Sequence, residues 1–249
     1  MNFFSLFKRN LIFKFKKKID IDKDIFSKDI NLDQLFYFYK SDKSNYLDEN
    51  KKYGHGYSEF YEKHLGKFKD KNLNILEIGS YSGASASAFV KYFNKAKVYC
   101  LDINLTKFKF KSKKIYPFGL DANNKKMVYN FFKKVNFFNT IKKFDIIIDD
   151  GSHILSDQLK SLNFFFHHVG NGGFYIIEDY RFPEYFSHLK DVDDGTINEL
   201  IENLKNEKNE NFKLLNKETF DILKKNILNI HKHKGKTEHS DIVFIEKLN

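Results

Sequence analysis

From Asn74 onward, short apolar runs alternate with stretches whose apolar residues recur at helical spacing. This alternation is typical of βαβ units, in which parallel strands are buried between helices. The predicted strands are residues 74–79, 97–103, 114–119, 144–150 and 174–179. Helices are predicted at 83–93 and 154–168, and the GNGG segment at 170–173 is predicted to be a loop that ends the second helix. The alternation therefore predicts an α/β fold around a mostly parallel sheet.

The two ends of the chain differ from this alternating region. Residues 1–70 are polar and aromatic with helical spacing and are predicted to form a helical N-terminal cap, with the main domain at 71–249. A polar stretch at about 182–218 is predicted to be an insert, either a helical lid or a solvated surface segment. The segments 227–233 and 240–247 are separated by a turn and predict an antiparallel hairpin, which brings the sheet to seven strands.

The charge of the chain is strongly positive, with 43 Lys and Arg against 33 Asp and Glu and a formal net charge of +10. Clustered cations attract phosphates, but proteins that read nucleic acids rely on bidentate Arg, and here only Arg9 and Arg181 are Arg. The excess of Lys, Asn, Ile and Phe is typical of an AT-rich genome. We therefore expect a bacterial source and no nucleic-acid partner.

The N-terminal 18 residues alternate Phe, Leu and Ile with Lys, and no apolar stretch there approaches the length of a transmembrane helix. Two interpretations stay open: a basic amphipathic helix in contact with a membrane surface, and packing onto the domain. The single cysteine, Cys100, lies in an apolar run and cannot form an internal disulfide. This is consistent with core packing in a reducing compartment and predicts a cytoplasmic protein, with the inner face of the membrane as an alternative.

A glycine loop follows the first predicted strand in the segment LEIGSYSGAS. Gly79 and Gly83 bracket a tight turn that contains Ser80, and Glu77 lies at the end of the strand. The next strand ends at Asp102, which is placed to accept hydrogen bonds from ribose hydroxyls. GSYSG lacks the glycine spacing of dinucleotide-binding loops, whereas an acid two residues before the first glycine is characteristic of methyltransferases. These residues predict binding of S-adenosylmethionine, and the alternative is that both acids lie in exposed loops.

Acids also follow later strands. Asp121, just past the third strand, is predicted either to contact the adenine or to cap a helix. Asp149, near the end of the fourth predicted strand, is assigned to the cofactor as well.

The segment FDIIIDDGSHI ends an apolar strand in Asp150 and His153, and the following strand ends in Glu178 and Asp179. Because adjacent parallel strands end level, the three carboxylates are expected to lie close together and to repel one another unless a cation neutralises them. Oxygen ligands favour Mg²⁺ over Ca²⁺ when water and substrate complete the coordination. His153 is the predicted general base for an acceptor hydroxyl. The alternative is that DDGSH only caps a helix.

The chain resembles the macrolide-sugar and capsule-sugar O-methyltransferases of the macrocin and mycinamicin type. The matching segments are YGHGYSEFYEKHL, LEIGSYSG, IIIDDGSH, GGFYIIEDY and HSDIVFIEK, and the main stretch covers roughly residues 40–182. The resemblance implies a Rossmann-like class I methyltransferase fold. It also implies that Asp150, Glu178 and Asp179 bind Mg²⁺ and that His153 is the catalytic base.

Four further residues are assigned to the cofactor or the acceptor. The resemblance implies that Tyr57 and His55 approach the cofactor or the acceptor, with Tyr57 assigned to the cofactor and His55 to the acceptor. Ordinary packing of an aromatic cap is the alternative. Tyr180 and Arg181, directly after the Glu-Asp pair, are candidate acceptor contacts, and recognition of the acceptor stays open.

The function predicted from the sequence is a metal-dependent O-methyltransferase of a sugar hydroxyl. The expected acceptor is a nucleotide-activated sugar or a sugar of a capsular or surface polysaccharide, and a homo-oligomer is expected. One alternative is a methyltransferase for RNA or another small acceptor. Another is a nucleotide-binding protein of the glycan-assembly machinery that has no catalytic activity.

Overall fold

The computed structural model describes residues 3–139, 141–206 and 212–249. Its α-helices, in chain order, are α1 (Phe3–Phe15), α2 (Leu32–Tyr39), α3 (Ser58–Leu65), α4 (Ala84–Tyr92), α5 (Lys125–Asn139), α6 (Leu155–Phe165), α7 (Phe182–Tyr185), α8 (Ile197–Lys205) and α9 (Lys217–Asn226). Its strands are β1 (Ile19–Asp20), β2 (Leu73–Ile78), β3 (Ala96–Asp102), β4 (Phe110–Lys111), β5 (Ile115–Gly119), β6 (Phe144–Asp149), β7 (Val169–Glu178), β8 (Ile227–Lys234) and β9 (Asp241–Lys247).

Seven of these strands form one sheet in the order β5-β3-β2-β6-β7-β9-β8. The pairs β2 with β3, β3 with β5 and β6 with β7 are parallel, whereas β9 is antiparallel to both β7 and β8. The continuous apolar runs of β3, β6 and β7 suit strands covered on both faces. The predicted mostly parallel seven-stranded sheet with a terminal antiparallel hairpin is confirmed.

The chain divides into two compact units, the first of which comprises Met1–Ala122 with Gly235–Glu238. Its core contains an aromatic cluster in which Phe36, Tyr61 and Phe89 are fully buried, with ring centroids 5.3–6.1 Å apart. These rings belong to α2, α3 and α4, so α2 and α3 are held to the glycine-loop helix by edge-to-face aromatic packing. Residues 1–70 lie wholly within this unit, and their treatment as a separate cap stays a prediction.

The second unit comprises Asn123–Lys234 with His239–Asn249. Its core is the buried face of β6, β7 and β9, in which Ile147 pairs with Tyr175 and Ile177 pairs with Val243. The predicted insert at about 182–218 contains α7 and α8, and α9 begins at its end. Residues 207–211 of that insert lie outside the described residues.

The prediction of a loop at 170–173 is wrong, because these residues lie inside β7. Phe144 pairs with Val169 and Ile146 pairs with Phe174, so β7 has several more residues than β6 between the two pairs. Gly172 takes a positive φ of 67° there. Glycines in a strand permit such a bulge, since they adopt backbone conformations that other residues resist.

Helix α1 packs one of its faces onto the first unit. The Asn10 Nδ2 donates to the carbonyl of Gly119 at 2.9 Å, and the Phe13 ring meets the Phe108 ring edge-on with centroids 6.0 Å apart. Across the residues that the structure describes, no helix combines the length and the apolarity needed to span a bilayer.

Candidate active site

The glycine loop of the first unit is shaped by residues with positive φ. Gly79 and Gly83 have φ values of 85° and 77°, and Tyr81 between them has 41°. The N–H of Gly79 donates to the carbonyl of Leu101 at 2.8 Å, which ties the loop to the end of β3. A Cβ on Gly83 would lie 2.5 Å from the Phe108 ring. Gly83 is therefore required both by its backbone and by the space beside it.

Asp102 closes the other side of this loop. Its Oδ2 accepts the N–H of Tyr81 at 2.7 Å, and its Oδ1 accepts the N–H of Asn104 at 2.6 Å. The carboxylate is only partly buried, so it can accept further hydrogen bonds from outside. The geometry holds a negative group in a fixed orientation at the end of β3, which is what recognition of ribose hydroxyls requires.

Glu77 is fully buried near the end of β2, opposite Cys100 in the register. The Ser85 hydroxyl donates to its Oε1, which links the strand to the first turn of α4. Ser80 is also buried, and its hydroxyl donates to the carbonyl of Glu77 at 3.2 Å. Burial and the nearby Glu77 charge raise the pKa of the Cys100 thiol, so Cys100 is a core residue as predicted. Glu77 therefore does not lie in an exposed loop.

Asp121 lies just beyond β5, whose last residue pairs with Asp102. The first turn of α5 is capped by Asn124, whose Oδ1 accepts the N–H of Met127 at 3.1 Å. Asn124 thus occupies the capping position of α5. The contact of Asp121 with an adenine stays a prediction.

Tyr57 and His55 lie next to each other in the first unit, with ring centroids 5.2 Å apart. Tyr57 is fully buried and precedes α3, whereas His55 is half-buried. These positions agree with aromatic packing, and a role of either residue in binding stays a prediction.

In the second unit, Asp149 is buried at the end of β6. Its Oδ1 accepts the N–H of Gly151 at 3.3 Å, and the Tyr175 hydroxyl donates to its Oδ2 at 3.4 Å. The Ser161 hydroxyl lies 3.0 Å from the Tyr175 hydroxyl. Burial raises the pKa of Asp149 to about 6, because a charged carboxylate loses its hydration there. This network anchors the turn that follows; whether Asp149 also binds the cofactor stays a prediction.

The turns that follow β6 and β7 bring three potential metal ligands together. One ligand atom from each of Asp150, His153 and Asp179 lies within 4.8 Å of the other two. The His153 Nε2 is 3.7 Å from the Asp150 Oδ1 and 4.0 Å from the Asp179 Oδ2. Two unit charges about 4.8 Å apart repel by roughly 3 kcal/mol at an effective dielectric constant of about 20. A nearby positive group relieves this repulsion, and the carboxylate and imidazole donors fit a divalent cation.

Two members of this group have unusual backbone conformations. His153 has a φ of 57° and Asp179 a φ of 49°. The left-handed region costs an L-residue roughly 1–2 kcal/mol, and Asp and His tolerate it better than most. Strain of this kind clusters at binding and catalytic sites. The turns after β6 and β7 therefore hold these side chains in place at some expense of stability.

Glu178 is not part of this group of three, although the sequence predicts it as a metal ligand. It is the last residue of β7 and is buried, whereas Asp179 begins the turn that follows. Metal binding by Glu178 stays a prediction. The prediction that Asp150 and Asp179 lie close together agrees with the structure.

The alternative, that DDGSH only caps α6, does not account for the proximity of Asp150, His153 and Asp179. The residue before α6 is Ile154, which makes no side-chain capping bond. Ser152 does serve the turn, because its hydroxyl donates to the Asp157 Oδ2 at 2.6 Å and accepts the N–H of Ile154 at 3.4 Å.

Tyr180 and Arg181 differ in their burial and in their contacts. Tyr180 is buried, whereas the Arg181 Nε donates to the Glu184 Oε2 at 2.7 Å and its Nη1 lies 3.9 Å from the Asp241 Oδ1. Hydrogen bonding to Glu184 raises the pKa of Arg181. Contact of either residue with an acceptor stays a prediction.

The sequence did not predict four residues that lie near the predicted site: Ser161, Tyr175, Phe182 and Asp241. A tyrosine inside the apolar run FYIIED was a usable signal for Tyr175, since a buried hydroxyl needs a partner. Asp241 accepts the Tyr185 hydroxyl at 2.7 Å and the Lys234 Nζ at 2.9 Å, and an acid at the buried start of β9 could have indicated it. Phe182 packs edge-on against the His153 ring with centroids 5.1 Å apart, and no sequence signal pointed to it.

Comparison with known proteins gives one family match. Residues 76–180 match the sequence profile of a family described as "Methyltransferase domain". The matched region begins in β2 and ends just after Asp179, so it contains both the glycine loop and the acidic cluster.

Among curated proteins, an L-olivosyl-oleandolide 3-O-methyltransferase from Streptomyces antibioticus is 33% identical over 156 residues, which are 59% of this chain and 36% of that protein. A mycinamicin VI 2''-O-methyltransferase from Micromonospora griseorubida is 29% identical over 132 residues, which are 50% of this chain and 31% of that protein. The chain thus matches only about a third of the length of these relatives.

Among solved structures, a methyltransferase from the mycinamycin biosynthetic pathway, in complex with Mg, SAH and mycinamycin VI, superposes with a TM-score of 0.67. The sequence identity is 24%, and the match covers 90% of this chain and 56% of that one. Residues 76–180 thus match a methyltransferase domain, and the chain has the class I methyltransferase fold and resembles O-methyltransferases of the oleandolide and mycinamicin type.

Proposed function

We propose that this protein transfers the methyl group of S-adenosylmethionine to a sugar hydroxyl with the help of a divalent cation, Mg²⁺. The observation that carries the proposal is the convergence of Asp150, His153 and Asp179. Two further facts support it: the relatives are named as O-methyltransferases of glycosylated compounds, and the mycinamycin-pathway enzyme is in complex with Mg and SAH.

The glycine loop of the first unit is where we place the cofactor. The backbone between Gly79 and Gly83 can approach a ligand closely, and Asp102 is oriented to accept ribose hydroxyls. Glu77 lies just before the loop, where a carboxylate suits the methionine end of the cofactor. Asp121 is assigned to the adenine.

Asp150 and Asp179 would hold the cation, with Glu178 as the predicted third ligand. A cation held by these residues would act as a Lewis acid and lower the pKa of a hydroxyl beside it. His153 receives the hydroxyl proton at Nε2, since imidazoles exchange protons near neutral pH. The hydroxyl oxygen then forms its bond to the methyl carbon as the carbon–sulfur bond breaks. The electron pair stays on sulfur, and the sulfonium becomes a neutral thioether.

For the acceptor, we propose a nucleotide-activated sugar or a sugar of a capsular or surface polysaccharide. The Phe182 ring beside His153 offers an apolar face on which a sugar ring can lie. We place the reaction in the cytoplasm, where nucleotide-linked sugars and the reduced Cys100 thiol are both expected. A homo-oligomer is part of the same proposal.

The direct experiment is incubation of the full chain with methyl-labelled S-adenosylmethionine, Mg²⁺ and a panel of nucleotide-linked sugars, followed by product mass. We expect one sugar to gain a methyl group, and we expect EDTA to abolish the transfer. Full activity in EDTA would remove the metal from the proposal.

The metal can be tested without an acceptor by thermal unfolding. A ligand that binds only the folded state raises its stability, so Mg²⁺ should raise the Tm of the wild type. Asp150→Asn should abolish that rise, while Asp70→Asn at an exposed acid in the first unit should preserve it. An equal rise in the wild type and Asp150→Asn would place the cation elsewhere.

A methyltransferase for RNA is the second candidate, and the net charge of +10 is the observation that favours it. It predicts tight, salt-sensitive polynucleotide binding. Nucleotide binding without methyl transfer would instead favour a non-catalytic protein of the glycan-assembly machinery.

A further inference from the structure

Helix α1 has two apolar faces, of which one packs against the first unit and the other is exposed. The packed face contains Leu6, Asn10 and Phe13, which recur at helical spacing. Leu6 is buried, Asn10 donates to the carbonyl of Gly119, and Phe13 packs on Phe108. This contact fixes how the helix is rotated about its axis on the first unit.

The opposite face of α1 is more apolar and is exposed. Phe4, Phe7, Leu11 and Phe15 have 73%, 57%, 47% and 78% of their surface exposed. At 3.6 residues per turn, the four positions fall within roughly 80° of the helix circumference. Exposed large apolar residues are ordinary when single, but a continuous stripe of them marks an interaction surface. We call these four residues the outer stripe.

Cations flank the outer stripe. Lys8 and Lys14 are exposed and lie on either side of it, Lys17 is exposed just past the helix, and no Asp or Glu occurs among residues 1–19. An apolar stripe between basic residues is typical of helices that lie in the headgroup region of a bilayer.

The positive charge continues onto the adjacent loop of the first unit. The Lys16 Nζ donates to the carbonyl of Thr106 at 2.7 Å, and the exposed Lys107 and Lys109 follow in the chain. Partial burial and the charges of Lys109, Lys107 and Lys18 lower the pKa of Lys16. Lys16, Lys107 and Lys109 therefore form a second group of cations beside α1.

We propose that α1 docks the protein on an anionic lipid bilayer, with the outer stripe inserted among the headgroups and the flanking lysines on lipid phosphates. The helix has 13 residues and is about 20 Å long at 1.5 Å per residue, so it lies along the surface. Charge complementarity favours this occupant over a second copy, since pairing two outer stripes would bring Lys8 and Lys14 of both copies together. A polynucleotide would use the lysines and leave the aromatic stripe in water.

The absence of tryptophan from the chain allows a site-specific test. Phe7→Trp places the only indole on the outer stripe, and Phe137→Trp places it at an exposed position of α5, in the second unit. We expect vesicles of phosphatidylcholine with 30% phosphatidylglycerol, taken as roughly the charge of an anionic leaflet, to shift the Phe7→Trp emission to the blue. The Phe137→Trp emission should not move. An unchanged Phe7→Trp emission, or equal shifts in both variants, would overturn the proposal.

Vesicle sedimentation of the full chain separates the two contributions. Replacing the stripe by Phe7→Ser, Leu11→Ser and Phe15→Ser together should weaken binding at least tenfold, and so should Lys8→Gln, Lys14→Gln and Lys17→Gln together. The matched controls lie on α5 and are exposed too: Phe137→Ser with Phe138→Ser, and Lys125→Gln, Lys126→Gln and Lys133→Gln together. They should keep wild-type binding, and equal losses in the controls would contradict a docking role for α1.

Two other occupants of the stripe give different results. A dimer that dissociates when the stripe is replaced by serine, in a protein that ignores vesicles, would identify a second copy as the occupant and overturn the proposal. Binding to RNA that survives the serine replacement, again without vesicle binding, would overturn it as well. Because none of these readouts uses methyl transfer, failure here leaves the proposed enzyme function untouched.

Discussion

His153 is positioned by its backbone as well as by its neighbours. Its φ of 57° turns the imidazole toward Asp150 and Asp179, and Phe182 packs against the ring. A substitution at this position must tolerate the left-handed region if it is to test chemistry instead of folding. Asn does so better than most residues.

We predict that His153→Asn lowers kcat by about 10²–10⁴-fold, the range that a general base contributes. The affinity for S-adenosylmethionine should stay within about twofold of wild type, as should the Mn²⁺ affinity measured by electron paramagnetic resonance. His188→Asn, at an exposed histidine, is the control. If His153→Asn lost Mn²⁺ binding together with turnover, His153 would be a metal ligand and not the base.

Gly83 gives a second prediction at a single position. Gly83→Ala meets both a φ of 77° and the Phe108 ring, so it should lower the free energy of unfolding by roughly 1–3 kcal/mol and weaken cofactor binding. Gly66→Ala is the matched control, because Gly66 has a φ of −54° and open space around it. That control should be neutral or slightly stabilising. Equal denaturation midpoints for the two variants would contradict the assignment.

Single residues could be predicted from the sequence where they end a predicted strand. Asp102 and Asp150 stood out because each ends an apolar run at the carboxyl end of a strand. The sequence could not show which of Glu178 and Asp179 lies beside Asp150 and His153. Of two consecutive acids at a strand end, the one that leaves the strand is decided by where the chain turns. Phe182 was not predictable at all, because its contact with His153 depends on a turn outside the sheet.

At the level of elements, α5 and the turn after α6 are joined by a stacked pair. The His168 ring lies on the Phe132 ring with centroids 3.4 Å apart. Burial, together with the charges of Lys143, His167 and Lys247, lowers the pKa of His168 to about 4. The folded state therefore binds this proton less readily than the unfolded state, in which a histidine has a pKa of about 6.5.

This shift predicts how stability depends on pH. Protonation favours the unfolded state, so the contribution is fully present above about pH 6.5 and is lost as the pH falls toward about 4. We expect His168→Gln to flatten this acid limb by about 2 kcal/mol, allowing for partial exposure. Urea denaturation in EDTA between those pH values measures it, with His188→Gln as the control. The same slope in wild type and His168→Gln would refute the prediction.

Whole elements were predicted to within a few residues where hydrophobic periodicity was strong, as for β3, β6 and α4. The start of β7 was not predicted, because a glycine-rich segment such as 170–173 is typical of a loop. Its place in the strand depends on distant contacts, such as the hydrogen bond from the Gly172 N–H to the carbonyl of Leu248 at 3.2 Å. The sequence also could not predict which face of α1 packs against the first unit. Both of its faces are apolar. The less apolar one packs against the first unit, where Asn10 donates to the carbonyl of Gly119.

For the whole molecule, the proposed function requires that the class I methyltransferase fold binds S-adenosylmethionine at the glycine loop and Asp102. Calorimetric titration of the full chain with S-adenosylmethionine tests this claim most directly, because it needs neither the acceptor nor the metal. We predict binding at one site per chain, weakened at least tenfold by Asp102→Ala through the loss of charge-assisted hydrogen bonds. Asp70→Ala, at an exposed acid, should leave it unchanged. No measurable binding to the wild type, or equal affinity in Asp102→Ala, would contradict the account.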